Sequence, residues 1–168
     1  MRTFVAAIAL YDALARLVDP TRLSLKWPND VLLDGGKVAG ILLESEADGA
    51  NVKWLAVGVG VNLSFAPDPD GEGTSTPVSL TDTVNVADFH ALLAEAYSLE
   101  ETRIVELGFG PVRERWMQRA ARLGQEITAR SPKETIIGTF RAVDETGSLQ
   151  LDTPKGRRVI HAADVFFE

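Results

Sequence analysis

The 168-residue chain contains no cysteine, which excludes disulfides, thiol nucleophiles and thiolate metal sites together. It has no apolar run long enough to cross a bilayer. It lacks a basic surplus as well: 17 Lys and Arg face 24 Asp and Glu, the net charge is -7 and the sequence pI is near 4.9. General nucleic-acid binding is therefore not expected, because phosphate contacts need basic patches that release counterions. His90 has no partner at ligand spacing, so no metal site is expected. A cytoplasmic location follows as the expectation. At 45% hydrophobic, the chain suffices for one core and a small satellite domain.

What is present centres on Leu23–Leu63, which reads as three antiparallel strands carrying a few polar residues and bare glycines. Leu23, Leu25 and Trp27 alternate with Ser24 and Lys26, the period of a half-buried strand, until Pro28 interrupts the ladder. Asn29 and Asp30 then read as turn formers before two apolar runs, 31–33 and 38–43. A Gly35-Gly36 hairpin turn is expected between them, with Asp34 facing Lys37, Leu32 facing Ala39 and Asp30 facing Ile41. Paired residues share a face, so Asp30, Lys37 and Ala39 should point the same way. In the strand 52–63, Ala56, Gly58, Gly60 and Asn62 fall at every second position and Val57, Val59 and Val61 fill the other face. Two glycines at this spacing suit a flat ligand lying on backbone, or alternatively a tightly packed helix.

KWPNDV at 26–31, KVAGILLE at 37–44 and GVGVNL at 58–63, in this order and spacing, resemble the second half of the catalytic domain of bacterial biotin protein ligases. The resemblance implies an α+β fold of the biotin/lipoate ligase, class II synthetase-like type: a mixed or antiparallel sheet covered by helices, with a small C-terminal SH3-like β-barrel. It implies ATP-dependent attachment of biotin to a lysine of a biotin carboxyl carrier domain through biotinyl-5'-AMP, with Mg²⁺. Lys37 matches the lysine that meets the biotin carboxylate and α-phosphate, and Asp30 a carboxylate that orients or deprotonates the incoming lysine. Lys26, Asn29, Ala39, Gly40, Gly58, Val59, Gly60 and Asn62 match the biotin and adenylate surroundings. The family's glycine- and arginine-rich loop and the Ser-Thr-Asn segment before it would lie upstream of Met1, so an incomplete site is expected. Two alternatives stay open: a catalytically silent binding module on the same fold, and a ligase for lipoate.

Around this stretch, residues 1–20 imitate a secretion signal, but Asp12 and Arg16 interrupt the run. Phe4, Ile8, Tyr11, Leu14 and Val18 recur at helical spacing, which predicts a buried helix over 3–17. If strands before it are missing, an uncovered sheet edge would pair with another chain and give a homo-oligomer. The proline- and glycine-rich segment 64–80 reads as a loop, and its acids Asp68, Asp70 and Glu72 as a solvated tip. A helix is predicted over 86–107 with Asn85 as N-cap and Gly108 as its stop, then a second from Pro111 to about Arg122. After Gly124 the period changes to 2, predicting strands over 126–129, 135–143, 149–152, 158–161 and 165–167. The expected division is a partial catalytic domain over 1–123 and an SH3-like barrel over 124–168, the barrel packing on the helices because so few residues make a marginal core alone.

Overall fold

The structure, a computed structural model, describes residues 1–49, 51–68, 75–80 and 84–167. Asp70 and Glu72 of the acidic loop lie outside the described residues. Helix α1 (Arg2–Leu14) is buried almost all round. It ends three residues before the predicted stop because Arg16 and Leu17 donate to Ala13 and Leu14, a tighter i to i−3 turn. Four antiparallel strands follow in the order β1-β2-β3-β4: β1 (Leu23–Lys26), β2 (Asp30–Leu33), β3 (Gly36–Asp48) and β4 (Asn51–Val61).

The predicted three strands are thus four. Pro28 has no N–H to continue a ladder, so the chain reverses over 27–29 and β2 folds back on β1, pairing Lys26 with Asp30. Asp30, expected in a turn, is the first residue of β2.

Helix α2 (Val86–Leu107) matches its predicted bounds, and the Asn85 side chain accepts from the Ala87 and Asp88 amides as an N-cap should. Helix α3 (Phe109–Met117) starts two residues before Pro111 and stops well before Arg122. Beyond it the chain turns to cover the outer edge of β1, with Leu25 N–H donating to Arg119 O and Ala121 N–H to Leu25 O, both at 2.8 Å. That pairing, made with a distant strand, ends the helix where local periodicity did not.

The second sheet contains β5 (Glu126–Arg130), β6 (Thr135–Val143), β7 (Leu149–Thr153), β8 (Gly156–Ile160) and β9 (Asp164–Phe166), in the order β8-β7-β6-β5-β9. All five strands were legible from the period. Among the described residues no ladder joins β8 to β9, so the predicted barrel is not closed.

One core links the two sheets. Phe4 meets Phe109 and Trp116 edge to face at 5.3 Å, Trp116 meets Phe140 of β6 at 6.5 Å, and Trp27 Nε1 donates to Gly147 O. Arg115 closes the helical layer by pairing with Asp12 of α1 and the buried Glu100 of α2. Among the described residues no helix is long and apolar enough to cross a membrane.

Candidate functional site

The β2–β3 hairpin builds the site, and it does so in a register the sequence reading missed by one residue. The turn is Asp34-Gly35, both with positive φ (49° and 82°), as a type I′ turn requires, in place of Gly35-Gly36. Leu33 therefore pairs with Gly36 and Leu32 with Lys37. A β-bulge at Val38 then resets the ladder, so that Val31 pairs with Ala39 and Asp30 with Gly40. Asp34, expected opposite Lys37, sits in the turn and forms an ion pair with Arg22.

Two consequences follow from the bulge. Lys37 and Gly40, an odd number of residues apart, come to lie on the same face as Asp30, while Ala39 and Ile41 turn into the core with Val31. The expectation that Ala39 shares the face of Asp30 is corrected. The expectation that Lys37 does so holds: Lys37 Nζ lies 2.7 Å from Asp30 Oδ1. The contact is a charge pair off the hydrogen-bonding angle, and Oδ1 is otherwise buried. Gly40 makes room for it, since a methyl group there would stand 3.1 Å from Lys37 Cε and Nζ and 3.4 Å from Asp30 Oδ1.

The row continues into β4. Gly40 pairs with Gly60 and Leu42 with Gly58, so a strip of bare backbone leads away from the ion pair. Among the described residues it is open: none stands within 4 Å of where a Gly60 Cβ would be, and a Gly58 Cβ would meet no more than Leu42 of the neighbouring strand. On the other face Val57, Val59 and Val61 are partly buried toward the core, and apolar cavities separate them from α2. The Val59 side chain therefore points away from the strip.

Asn29 and Asn62, expected in the biotin and adenylate surroundings, use their Nδ2 groups on the fold. Asn29 Nδ2 donates to Ile41 O at 2.7 Å, tying the chain reversal to β3. Asn62 Nδ2 donates to Val78 O at 2.9 Å and to Lys37 O at 3.3 Å. The second set holds residues 75–80 against the start of β3, where Lys37 N–H donates to Thr76 O and Val78 N–H to Lys37 O. Gly36 is needed for that crossing, because a Cβ would lie 2.4 Å from Val78 Cγ1. Part of the predicted loop is thus strand-like and frames the site.

Lys26 occupies the same face one strand over and is only 2% exposed. Its Nζ donates to Ser75 Oγ at 2.9 Å and lies 5.2 Å from the ring centre of Phe167. Burial pushes its ammonium down to about 8, with Lys37 adding to the depression and Asp30 and Asp164 opposing it. Ser75 and Phe167 were not identified from sequence, and no local pattern marks them, since both reach Lys26 through tertiary folding. Beside Lys26 a polar cavity of about 680 Å³ opens between the two sheets, lined by Ser24, Leu32, Ser75, Arg122, Phe166 and Phe167 among others. Among the described residues, no three His, Asp or Glu side chains gather to hold a metal ion.

Two lysines and one carboxylate thus share one face of the first sheet, beside bare glycine backbone and a cavity. Residues 4–62 match the biotin/lipoate A/B protein ligase family, and residues 123–168 the biotin protein ligase C terminal domain. A biotin--[acetyl-CoA-carboxylase] ligase of Paracoccus denitrificans is 49% identical over 172 residues, covering 98% of this chain and 72% of that protein. Another of that name from Mycobacterium tuberculosis is 32% identical, covering 97% of this chain and 60% of that protein. The biotin protein ligase of Aquifex aeolicus, solved in complex with biotin and ATP, has a TM-score of 0.81 at 22% identity, with 97% of this chain and 68% of that one covered. The chain belongs to the biotin protein ligase family.

Proposed function

We propose that this chain carries the carboxylate-activating site of a biotin protein ligase. The observation that supports it most is the Lys37–Asp30 ion pair seated over Gly40 at the head of the open glycine strip. In the proposed first step a biotin carboxylate oxygen bonds to the α-phosphorus of ATP and pyrophosphate leaves. In the second, the amine of a carrier lysine attacks the acyl carbon and AMP leaves.

Lys37 is suited to the first step. Its side chain is partly open to solvent, and rotation of Nζ from Asp30 toward the ligand would put a point cation where carboxylate and phosphate charge meet. Lys26 adds a second cation on the same face. Asp30, relieved of its partner, would then orient or deprotonate the carrier lysine, which arrives protonated because its ordinary pKa is about 10.4. Gly58 and Gly60 let the ring system of biotin lie on backbone, and Gly40 leaves space for the working pair.

Mg²⁺ would enter as part of the MgATP substrate. Among the described residues the acids form no cage of their own, which fits this role because magnesium commonly takes its ligands from phosphates and water. Residues 1–123 would form the catalytic part and 124–168 a wall of the cavity, in a cytoplasmic setting. β3 is the sole ladder partner of β4 among the described residues, so the outer edge of β4 is where a second copy would add.

Biotin-dependent release of pyrophosphate from ATP, followed by transfer of label to a carrier domain, tests the reading. Failure to release pyrophosphate at high protein concentration would sink it in favour of a silent binding module. Turnover with lipoate and none with biotin would redirect the substrate.

A further inference from the structure

The C-terminal sheet reaches into the site through one side chain. Strand β9 is anchored on β5 by the pairs Arg130 with Asp164, Ala129 with Val165 and Thr128 with Phe166, and Val165 is buried in the core. The residue just past this anchor is Phe167. Its ring stands 5.2 Å from Lys26 Nζ and 5.5 Å from Arg122 Cζ, between two cations on different parts of the chain. Arg122 is held there from a left-handed backbone conformation, φ 61°, with its Nη1 donating to Gln125 Oε1. The neighbouring Phe166 is taken by Arg130 at 4.5 Å.

We infer that Phe167 is a positioning residue for the ligase reaction: its ring closes the solvent side of Lys26 and holds that ammonium beside Lys37 and Asp30. The inference deepens the proposed function and rests on that reading. A ring acts on an ammonium in two opposite ways. Its face attracts the cation and favours the charged form, while its bulk excludes water and disfavours it. Among the described residues, the charges facing Lys26 include Asp30 from β2, Lys37 from β3, Asp164 from β9 and Arg122 across the ring. The depressed ammonium reports that exclusion of water outweighs the attractions. Lys26 is then charged at neutral pH and loses its proton in passing pH 8.

Substitutions at Phe167 separate the two effects. Phe167→Leu keeps most of the bulk and removes the aromatic face, so Lys26 should titrate lower by about half a unit to one unit. Phe167→Ala admits water and should move it higher, toward the ordinary lysine value. Phe167→Tyr should leave it near the wild-type position. The direct measurement is a pH titration of lysine ε-carbon NMR signals in the full 168-residue chain, with the Lys26 signal identified by its loss in Lys26→Arg. In the same variants, the alkaline limb of biotin-dependent pyrophosphate release should move with that signal.

A Lys26 titration that is the same in Phe167→Leu and wild type, or that rises in Phe167→Leu, overturns the inference even if Phe167→Ala does not fold. So does a wild-type Lys26 that titrates near 10.5. The NMR signal responds whether or not the chain turns over, so loss of the proposed activity and loss of this inference are told apart.

Discussion

The two faces of the first sheet differ more than their sequences suggest. On one, Leu23, Leu25, Val31, Ala39 and Ile41 are all but sealed beneath helices and the second sheet. On the other, Lys26, Asp30 and Lys37 stand beside Gly40, Gly58 and Gly60, and the strip runs out into open space. The same backbone ladder carries both, so the open glycine strip takes its rigidity from packing on the opposite face and from the buried Lys26, Asp30 and Leu32 beside it. Side-chain volume holds the chain together on the buried face; the open face is defined by where volume has been removed.

The sharpest way to break this division is to remove the cation of the open face. Lys37→Ala should reduce biotin-dependent pyrophosphate release by about 10²–10³-fold, the scale of losing one electrostatic contact to developing charge. Thermal stability should fall as well, because the variant leaves the buried Asp30 carboxylate without its ion-pair partner, a loss of about 1–3 kcal/mol. A loss of pyrophosphate release no larger than the loss of folded protein would mean that the ion pair serves the fold alone.

The mirror experiment is Ile41→Ala on the sealed face, one residue from Gly40. It should destabilise the fold by about 2–5 kcal/mol, read by urea unfolding, through lost burial and the cavity left behind. The activity of the folded fraction should fall far less than with Lys37→Ala.

How much of this was legible beforehand depends on the range of the interaction that decides each feature. The five strands of the second sheet and the bounds of α2 follow local periodicity and a side-chain cap, and sequence alone reveals them. The hairpin register was misread because two small features act together. The turn uses Asp34 at positive φ instead of Gly36, and the bulge at Val38 then shifts parity. One misreading offset the other for Lys37 and not for Ala39. Ser75 and Phe167 meet Lys26 across 49 and 141 positions of sequence, a distance no local pattern spans. Asn29 and Asn62 carry a structural duty that their sequence positions do not reveal, their Nδ2 groups donating to backbone carbonyls.

A subtler sharpening fills the strip itself. Gly60→Val adds an isopropyl group whose Cβ would have no described atom within 4 Å, at a position whose backbone is not left-handed. Stability should stay within about 0.5 kcal/mol, as for an exposed site with no packing to disturb, and valine suits a strand better than glycine. Biotin affinity, measured by calorimetry, should fall by about 10- to 100-fold if the ligand lies there, equivalent to about 1.4–2.8 kcal/mol. Unchanged affinity would move biotin off the strip.

The smallest expected effect is the most diagnostic of how the two faces meet. Gly40→Ala adds one methyl group 3.1 Å from the far end of the Lys37 side chain, a contact too close to keep and easy to relieve, because Cε and Nζ can swing away. The backbone at Gly40 is already an ordinary strand, so folding should be unaffected or slightly improved. The relief shifts Nζ by tenths of an ångström and loosens its contact with Asp30. Where a misplacement of about 1 Å costs about 10²-fold in rate, such a shift should lower the first step by about 3- to 10-fold, with biotin affinity nearly unchanged. A loss confined to the rate constant would tie Gly40 to the placement of the lysine, whereas a loss confined to affinity would assign it to the surface on which the ligand rests.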